Sequence, residues 1–549
     1  MALPLIALLA TLTLLAHLLY KHILQPLFLS PLSSIPPVHW SAPLSSLWIL
    51  HHRYSQSDTF AIHAAHTRLG PIIRLAPNEL SLNSVNGGIR TIYAGGFEKG
   101  EWYSEGFANF GVPPMFGMHG AREHGRRKRM VSHVYAKSTL QGSGALSGIT
   151  KVLVRRLRER LDEAARKGEQ VEMYELFAAA MMDFVTGYVF GLRQGTDFLR
   201  EEARARECLK GFKERQRFTF WAQECAKLMR WVGWMGLRTW FVPKWVDESN
   251  ADSEKWVLEM CDRAEEVVQR QEAGVEKTEL EDTPTVYAQL REGFLKECRK
   301  DAKDNLSTAS ILQSSRLDLA SELLDHVLAG FDTSSITLTY LAWQLSRPSN
   351  LHWQSRLRTE IATLNTSLDA KLIDNLPVLH AVLMETLRLH TAIHGIQPRV
   401  TPTGLTTLGD PESGLVVHNI PGGVRVQSQA YSLHRNPEVF PDPEEWRPER
   451  WLPASSSFEV TVEDEARLRE QLRWFWAFSS GGRMCVGSHL AMLDMKATIV
   501  GVWGRFETEI GDEEGMREVN GGYMAEPLGV VDGEDGKRKR FLRLRLRKL

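Results

Sequence analysis

The stretch Phe478-Ser479-Ser480-Gly481-Gly482-Arg483-Met484-Cys485-Val486-Gly487 constrains this chain more than any other, because it carries a single cysteine to the mouth of a helix. From His489 to Val500 apolar residues recur at helical spacing, so the helix begins just past Gly487. The positive end of a helix and its free N–H groups favour an anion, and a thiolate placed there suits a metal ligand. Glycines let backbone come close to a flat ligand without Cβ clashes, while Arg483 offers a planar fork of donors to a carboxylate. One cysteine, one arginine and close-approach glycines describe a haem pocket. The plainer alternative is a buried free cysteine beside a helix start.

Phe478, Gly481, Arg483, Cys485 and Gly487 fill every fixed position of Phe-x-x-Gly-x-Arg-x-Cys-x-Gly. The stretch thereby resembles the haem loop of the cytochrome P-450 superfamily. That resemblance implies Cys485 as the axial ligand of haem iron, with Phe478, Gly481, Arg483 and Gly487 as haem contacts. It implies a mainly α fold with small β-sheets, in which haem (iron protoporphyrin IX, haem b) lies between a long distal helix and the proximal cysteine loop.

At 549 residues, 43% hydrophobic and 24% charged, the chain is globular with ample material for a large core. Lys plus Arg (66) nearly balances Asp plus Glu (67), so global charge gives no reason to expect nucleic acid. Five scattered cysteines, with no CxxC and no zinc-like spacing, speak for a reducing compartment and against a disulfide framework.

Ala2 to Tyr20 is almost unbroken apolar sequence, enough as a helix to cross a hydrocarbon core of ~30 Å. It lacks the basic n-region and small-residue cleavage site of a signal peptide, and Lys21 favours a cytosolic body. The expected organisation is a membrane anchor over 1–22, a proline-rich hinge over 23–45 (Pro26, Pro31, Pro36, Pro37), and a haem-binding catalytic domain over 46–549. Microsomal members of the superfamily have such an anchor and hinge, usually with Pro-Gly-Pro where this chain has Pro36-Pro37-Val38.

Leu69 to Asn83 reads as two β-rich runs split by Ala-Pro-Asn, a hairpin resembling the first β region of fungal-type members. Gly100 to His119 is rich in Gly, Pro and aromatics without a stable period, a functional loop or a disordered one. His124-Gly125-Arg126-Arg127-Lys128-Arg129 opens a helix whose basic run is a solvated face or a docking patch. By the resemblance, His124 and Lys128 stand where Trp or His and an arginine reach the haem propionates, Lys128 replacing the arginine. Ile149 to Glu297 should be mostly long helices. Within it, Leu228 to Trp245 is dense in tryptophan, read either as a membrane interface or as a core helix. Glu276 to Asn305 reads as a polar surface connection, and Ser455 to Gln471 as a charged surface insertion.

Leu317 to Leu345 is a long helical run containing Ala329-Gly330-Phe331-Asp332-Thr333. A mid-helix glycine beside Thr and Ser predicts a local distortion. The five residues match the oxygen-activation motif of the superfamily, which implies room for O2 at Ala329 and Gly330 and proton delivery by Asp332 and Thr333 as the catalytic residues. Glu385 and Arg388, three apart on one helix face, match its Glu-x-x-Arg element, and Arg450 in Pro448-Glu449-Arg450-Trp451 supplies the third member of that structural triad. Arg399, in Gln397-Pro398-Arg399-Val400, resembles a further propionate contact. His394 and His434 are read as non-ligating. Phe541 to Arg547 alternates strictly, as a half-buried strand or, less well, a basic tail.

The function implied is a haem-thiolate monooxygenase that inserts one oxygen atom from O2 into a lipophilic small molecule, with fungal secondary metabolism leading over xenobiotic, fatty-acid or sterol oxidation. Electrons from NADPH would arrive through NADPH–cytochrome reductase, with cytochrome b5 as a second donor, since the chain has no Gly-x-Gly-x-x-Gly strand–helix unit of its own. The implied setting is the endoplasmic reticulum membrane, single-pass, with the body in the cytosol and membrane lipid as a partner. A haem-thiolate isomerase or dehydratase and a non-catalytic haem sensor or membrane scaffold stand as alternatives.

Overall fold

The computed structural model describes residues 2–275, 279–301, 307–454, 461–528 and 542–549. By its internal contacts the chain forms two compact units. One comprises Met1–Gly100, His394–Asn436 and Ser479–Met484; the other comprises Glu101–Ile393, Pro437–Phe478 and Cys485–Leu549.

The first unit begins with helix α1 (Ala2–Leu19), which runs on through wider π turns over Tyr20–Leu29. The helix therefore extends past residue 22. Pro26 lacks the N–H that an ordinary helical bond would use, and bonds to the fifth residue back, as from Ser30 N to Gln25 O (2.9 Å), absorb that gap. Ile6–Leu29 is a single exposed apolar helix of membrane-spanning length. The proline-rich stretch after it is tied down: Arg74 N donates to Pro36 O (2.9 Å) and Val38 N to Arg74 O (3.1 Å), so it runs along strand β1. The Arg74 guanidinium collects the carbonyls of Pro26 (2.9 Å), Leu32 (3.3 Å) and Pro77 (2.8 Å).

Strands β1 (Ile72–Ala76) and β2 (Glu79–Leu82) form the hairpin expected over Leu69–Asn83. With β3 (Arg399–Val400) and β4 (Arg425–Gln427) they make a sheet of order β1-β2-β4-β3, β2 and β4 being parallel with Leu80 opposite Val426. Every residue of β1 and β2 is buried, Arg74, Glu79 and Ser81 included.

The second unit is helical. Its members include α2 (Glu101–Phe107), α3 (Ala121–Val131), α4 (Met173–Phe190), α5 (Glu202–Gln216), α6 (Thr285–Asp301), the 39-residue α7 (Thr308–Ser346), α8 (Pro377–Leu389) and α9 (Ser488–Trp503). Helix α4 is apolar on nearly all sides and lies buried along α7. Helix α7 is one continuous α-helix, so the distortion expected at Ala329–Thr333 does not break it.

Three expectations for this unit change. The polar connection over Glu276–Asn305 is largely α6, whose Val286, Leu290 and Phe294 recur every fourth residue and enter the core while charged residues coat the outer face; residues 276–278 and 302–306 lie outside the described set. The Gly100–His119 loop contains α2, held by ring packing and not by an apolar period. In the tryptophan-dense stretch, Trp231, Trp234 and Trp240 are 57%, 86% and 79% exposed, so the core-helix reading fails; Met229, Val232, Val242 and Val246 make a small separate cluster instead. Of the insertion over Ser455–Gln471, residues 455–460 are undescribed, and from Val462 to Trp474 the chain is a helix opened by a Thr461–Asp464 capping box.

The C-terminal strand Arg543–Lys548 pairs with Val171–Glu172 and with Phe506–Asp512, with Leu544 buried; Phe541 falls outside the described residues. All five cysteines are free, and among the described residues no His, Cys, Asp and Glu cluster is arranged to hold a metal ion.

Candidate haem-thiolate active site

The cysteine loop closes on itself before α9 begins, with Cys485 N donating to Phe478 O at 3.0 Å. The sulfur receives the backbone N–H groups of Gly487 and Ser488 at the start of α9 and feels the positive charge of Lys128. Burial raises the thiol against these influences, so the free side chain is a thiol and a bound metal supplies the remaining drive to thiolate. Cys485 is an exposed residue and is not packed into the core. Cβ atoms placed on Gly482 or Gly487 would meet no protein atom within 4 Å. Gly481 is different: at φ +73° its Cβ would fall 2.2 Å from Tyr93 O, so a side chain is excluded by the backbone itself.

In the first unit, Arg399 is buried with its guanidinium 4.8 Å above the Tyr93 ring, and Tyr93 is fixed by its hydroxyl, which donates to Gln397 O (2.6 Å) and accepts from Ser428 N (2.9 Å). Arg483 donates to Glu98 at 2.7 Å, a carboxylate partner that sequence reasoning missed because it lies 385 residues away. His394 sits edge-on to Phe60 and Tyr431 (6.1 and 5.9 Å), in an aromatic packing role.

In the second unit, the basic run of α3 splits by face. His124 and Arg127 are buried, Lys128 is half-buried, and Arg122, Arg126 and Arg129 are exposed. Lys128 is lowered by burial and raised by Cys485, which puts it on the cysteine side. Arg127, overlooked in the sequence, pairs with Asp318 (3.0 Å) and Glu322 (3.2 Å) of α7 and lies 4.5 Å over Phe294. Glu322 also meets His326 Nε2 at 3.3 Å, and His326 Nδ1 meets the Tyr135 hydroxyl at 3.0 Å.

On α7 the motif residues separate according to the helical turn. Ala329 and Thr333, four apart, present accessible surface on one face, and the Thr333 hydroxyl donates to Ala329 O at 2.8 Å. Gly330 faces α4, where its Cβ would lie 2.9 Å from Val185 Cγ2, so its smallness serves helix packing. Asp332 is buried on a further face. Lys213 Nζ lies 2.6 Å from its Oδ1, the Tyr174 hydroxyl donates to Oδ1 at 2.7 Å, and Gln216 donates to Oδ2 at 3.4 Å. Lys213 also meets Glu526 at 3.4 Å. Asp332 and Thr333 are thus adjacent in sequence but bonded to different partners, and Lys213, Tyr174 and Glu526 had no local signal to reveal them.

Glu385 and Arg388 form a bidentate pair (2.9 and 2.7 Å), and Glu385 also receives Arg450 Nε (3.2 Å), Trp451 Nε1 (3.0 Å) and Arg447 N (2.8 Å). Arg388 reaches the carbonyls of Pro443 (2.8 Å) and Glu445 (3.0 Å).

The second unit's residues fit a haem: a sulfur at a helix start with N–H donors behind it, the open side-chain position of Gly487, and the half-buried ammonium of Lys128 on the cysteine side. The family model for Cytochrome P450 matches residues 97–527. Among similar proteins, the cytochrome P450 monooxygenase avaI of Aspergillus versicolor is 29% identical over 444 residues, covering 80% of this chain and 94% of its own length. The cytochrome P450 monooxygenase stcB of Emericella nidulans is 27% identical over 485 residues, 85% of this chain and 81% of its own. Tryprostatin B 6-hydroxylase of Aspergillus fumigatus is 26% identical over 495 residues, 87% of this chain and 76% of its own. With one family model running from Phe97 to Pro527, the chain belongs to the cytochrome P450 family and is a haem-iron monooxygenase.

Proposed function

We propose that this monooxygenase is anchored by α1 in the endoplasmic reticulum membrane, with its body in the cytosol, and oxidises a lipophilic small molecule of fungal secondary metabolism. Its prosthetic group is haem b, and its electrons pass from NADPH through NADPH–cytochrome reductase, with cytochrome b5 as a second donor. The apolar, exposed Ile6–Leu29 helix supports the anchor, and the names of the fungal relatives support the substrate class. The observation that carries the chemistry is the Cys485 sulfur held among N–H donors at the start of α9.

When bound, haem supplies O2 binding and O–O cleavage, with electron density from the Cys485 thiolate. The N–H groups of Gly487 and Ser488 and the charge of Lys128 temper that thiolate. Arg399, Arg483, His124 and Lys128 would hold the haem carboxylates; Arg483 has donors beyond the one it gives Glu98. Thr333, whose hydroxyl hydrogen is committed to Ala329 O, offers its lone pairs to the open face and accepts a hydrogen bond there. Asp332 takes protons from the interior side, where it forms a buried relay with Lys213 and Glu526, two carboxylates to one ammonium. Glu385, Arg388 and Arg450 hold the Pro443–Trp451 segment and take no part in the chemistry.

A reduced, CO-treated spectrum tests this reading. The purified protein should give a thiolate-type Soret band that is absent in Cys485→Ala, and turnover should require both NADPH and reductase. A missing band, or one that survives the substitution, overturns the haem-thiolate assignment; turnover without NADPH or reductase would instead mark an isomerase or dehydratase.

A further inference from the structure

Tyr135, His326 and Glu322 form a buried chain that the oxygen chemistry above leaves unused. The Tyr135 hydroxyl lies 3.0 Å from His326 Nδ1, and its ring packs edge-on against the imidazole at 5.5 Å. His326 Nε2 in turn faces Glu322 Oε1 at 3.3 Å, two buried atoms that make no aligned hydrogen bond. Glu322 Oε2 takes Arg127 (3.2 Å) and the N–H of Met115 (2.8 Å), and Arg127 also pairs with Asp318 (3.0 Å), so two carboxylates draw on one guanidinium. With its Nε2–H turned toward Glu322, a neutral His326 has its lone pair at Nδ1, where the phenol donates.

Such a chain lets a phenol give up an electron. Losing the electron alone leaves a radical cation, a costly charge in a buried site, whereas a base within hydrogen-bond reach takes the proton and leaves the radical neutral. Burial, and after it the negative groups nearby, raise Tyr135 far above the usual phenol range, so its proton stays until the electron leaves. The imidazolium formed at His326 then stands 3.3 Å from a carboxylate that shares its arginine with a second one. Other buried tyrosines are less well served. Tyr188, its ring 6.3 Å from that of Tyr135, gives its hydroxyl to the carbonyl of Val134 (2.7 Å), which takes no proton, and Tyr174 gives its own to Asp332, whose carboxylate is held by Lys213. His326 also places the pair: it stands three residues before Ala329 on α7, so the Tyr135 oxygen is at most about 12 Å from the Ala329 side chain on the open face.

We propose that Tyr135 is a redox-active tyrosine that supplies one electron to the haem site, with His326 as the acceptor of its proton and Glu322 as the counter-charge. The oxidant is haem that has reacted with a peroxide while no substrate is bound. The O–H bond of Tyr135 breaks, its proton passes to His326 Nδ1, its electron reduces that oxidant by one equivalent, and a neutral phenoxyl is left facing an imidazolium. One electron from the donor that serves turnover, with the proton returned by His326, restores the phenol. This rests on the monooxygenase reading and adds a second activity to it: the disposal of oxidising equivalents that find no carbon to attack.

The test uses the haem-loaded full chain, mixed with hydrogen peroxide in the absence of substrate and frozen for electron paramagnetic resonance. A tyrosyl radical should appear, its hyperfine pattern narrowing in protein made with ring-deuterated tyrosine. Tyr135→Phe keeps the ring and its packing but should lose most of that signal, whereas Tyr188→Phe should retain it. His326→Asn leaves the phenol an amide acceptor but no base, and should form the radical at least ~10-fold more slowly. Tyr135→Phe should also lose its Soret absorbance under peroxide sooner than the unaltered protein. No tyrosyl signal, a signal undiminished in Tyr135→Phe, or an unchanged rate in His326→Asn overturns the inference. The reduced CO spectrum is recorded on each protein: an intact thiolate band without the radical removes this inference alone, whereas no band in the unaltered protein removes the monooxygenase reading beneath it.

Discussion

Asp332 and Thr333 show how much chemistry depends on one residue's place on a helix. Neighbours on an α-helix are about 100° apart, so a motif that reads as an acid–alcohol pair is parted into a buried carboxylate on Lys213 and a hydroxyl on the open face. Asp332→Asn should leave the CO spectrum intact, lower turnover by roughly 10²-fold and enlarge the solvent deuterium isotope effect; unaltered turnover would take Asp332 out of proton delivery. The cysteine loop was legible because its information is local, whereas Lys213, 119 residues from Asp332, and Glu98, 385 from Arg483, were not. Asp494 of α9 is another group that no motif marks. Burial pushes its carboxyl well above the usual carboxylate range, so the folded chain holds a proton there that the unfolded chain releases near pH 4. Its contribution to stability is therefore complete below about pH 4 and is lost as pH rises toward the folded value. Thermal melts from pH 5 to 9 should fall less steeply for Asp494→Asn than for the unaltered protein; parallel curves would contradict this.

Between elements, the contact of α7 with α4 turns on Gly330. Alanine there gains about 1 kcal/mol of helix propensity but drives its Cβ into Val185, a β-branched side chain with little rotamer freedom in a helix, at about 1–3 kcal/mol. Gly330→Ala alone should be neutral or destabilising in denaturant titration. In a Val185→Ala background it should stabilise by about 1 kcal/mol, and the same sign in both backgrounds would show that α4 does not set the requirement. The tryptophan-dense stretch makes a second element-scale prediction. Exposed rings with Arg230, Arg238 and Lys244 among them suit a bilayer surface. Protein lacking residues 1–29 should still associate with phosphatidylcholine vesicles in flotation, and replacing Trp231, Trp234 and Trp240 by alanine should abolish most of that association. The sequence could not choose between core and surface here, because tryptophan serves both; α6 was hidden for the opposite reason, its core residues being diluted by a charged outer face.

Across the whole molecule, the order of motifs made the fold class legible, since a cysteine loop, a long distal helix and Glu-x-x-Arg in that order agree with one another. What the sequence could not display is how few buried charges hold distant segments in place. Glu385 accepts hydrogen bonds from Arg388, Arg447, Arg450 and Trp451, so one carboxylate fixes α8 to the stretch that leads into the cysteine loop. Glu385→Gln keeps the shape but leaves two buried guanidiniums without their counter-charge, a loss of about 3–5 kcal/mol against a total stability of order 5–15. The variant should accumulate as protein with little bound haem and a broadened or absent thermal transition; full haem occupancy would show that the triad is dispensable.

The clasp of Arg74 bears on how a soluble form could be made. A chain shortened ahead of Pro26 keeps all three carbonyls on that guanidinium, and one beginning at Ser30 gives up a single acceptor. Cutting after residue 40 strips away Pro36–Val38 as well, leaving the buried guanidinium to the carbonyls of Ala76 and Pro77 and uncovering the outer edge of β1 as a template for foreign strands. Where the cut is made, and not how much apolar sequence is removed, then decides between a monodisperse sample and an aggregating one.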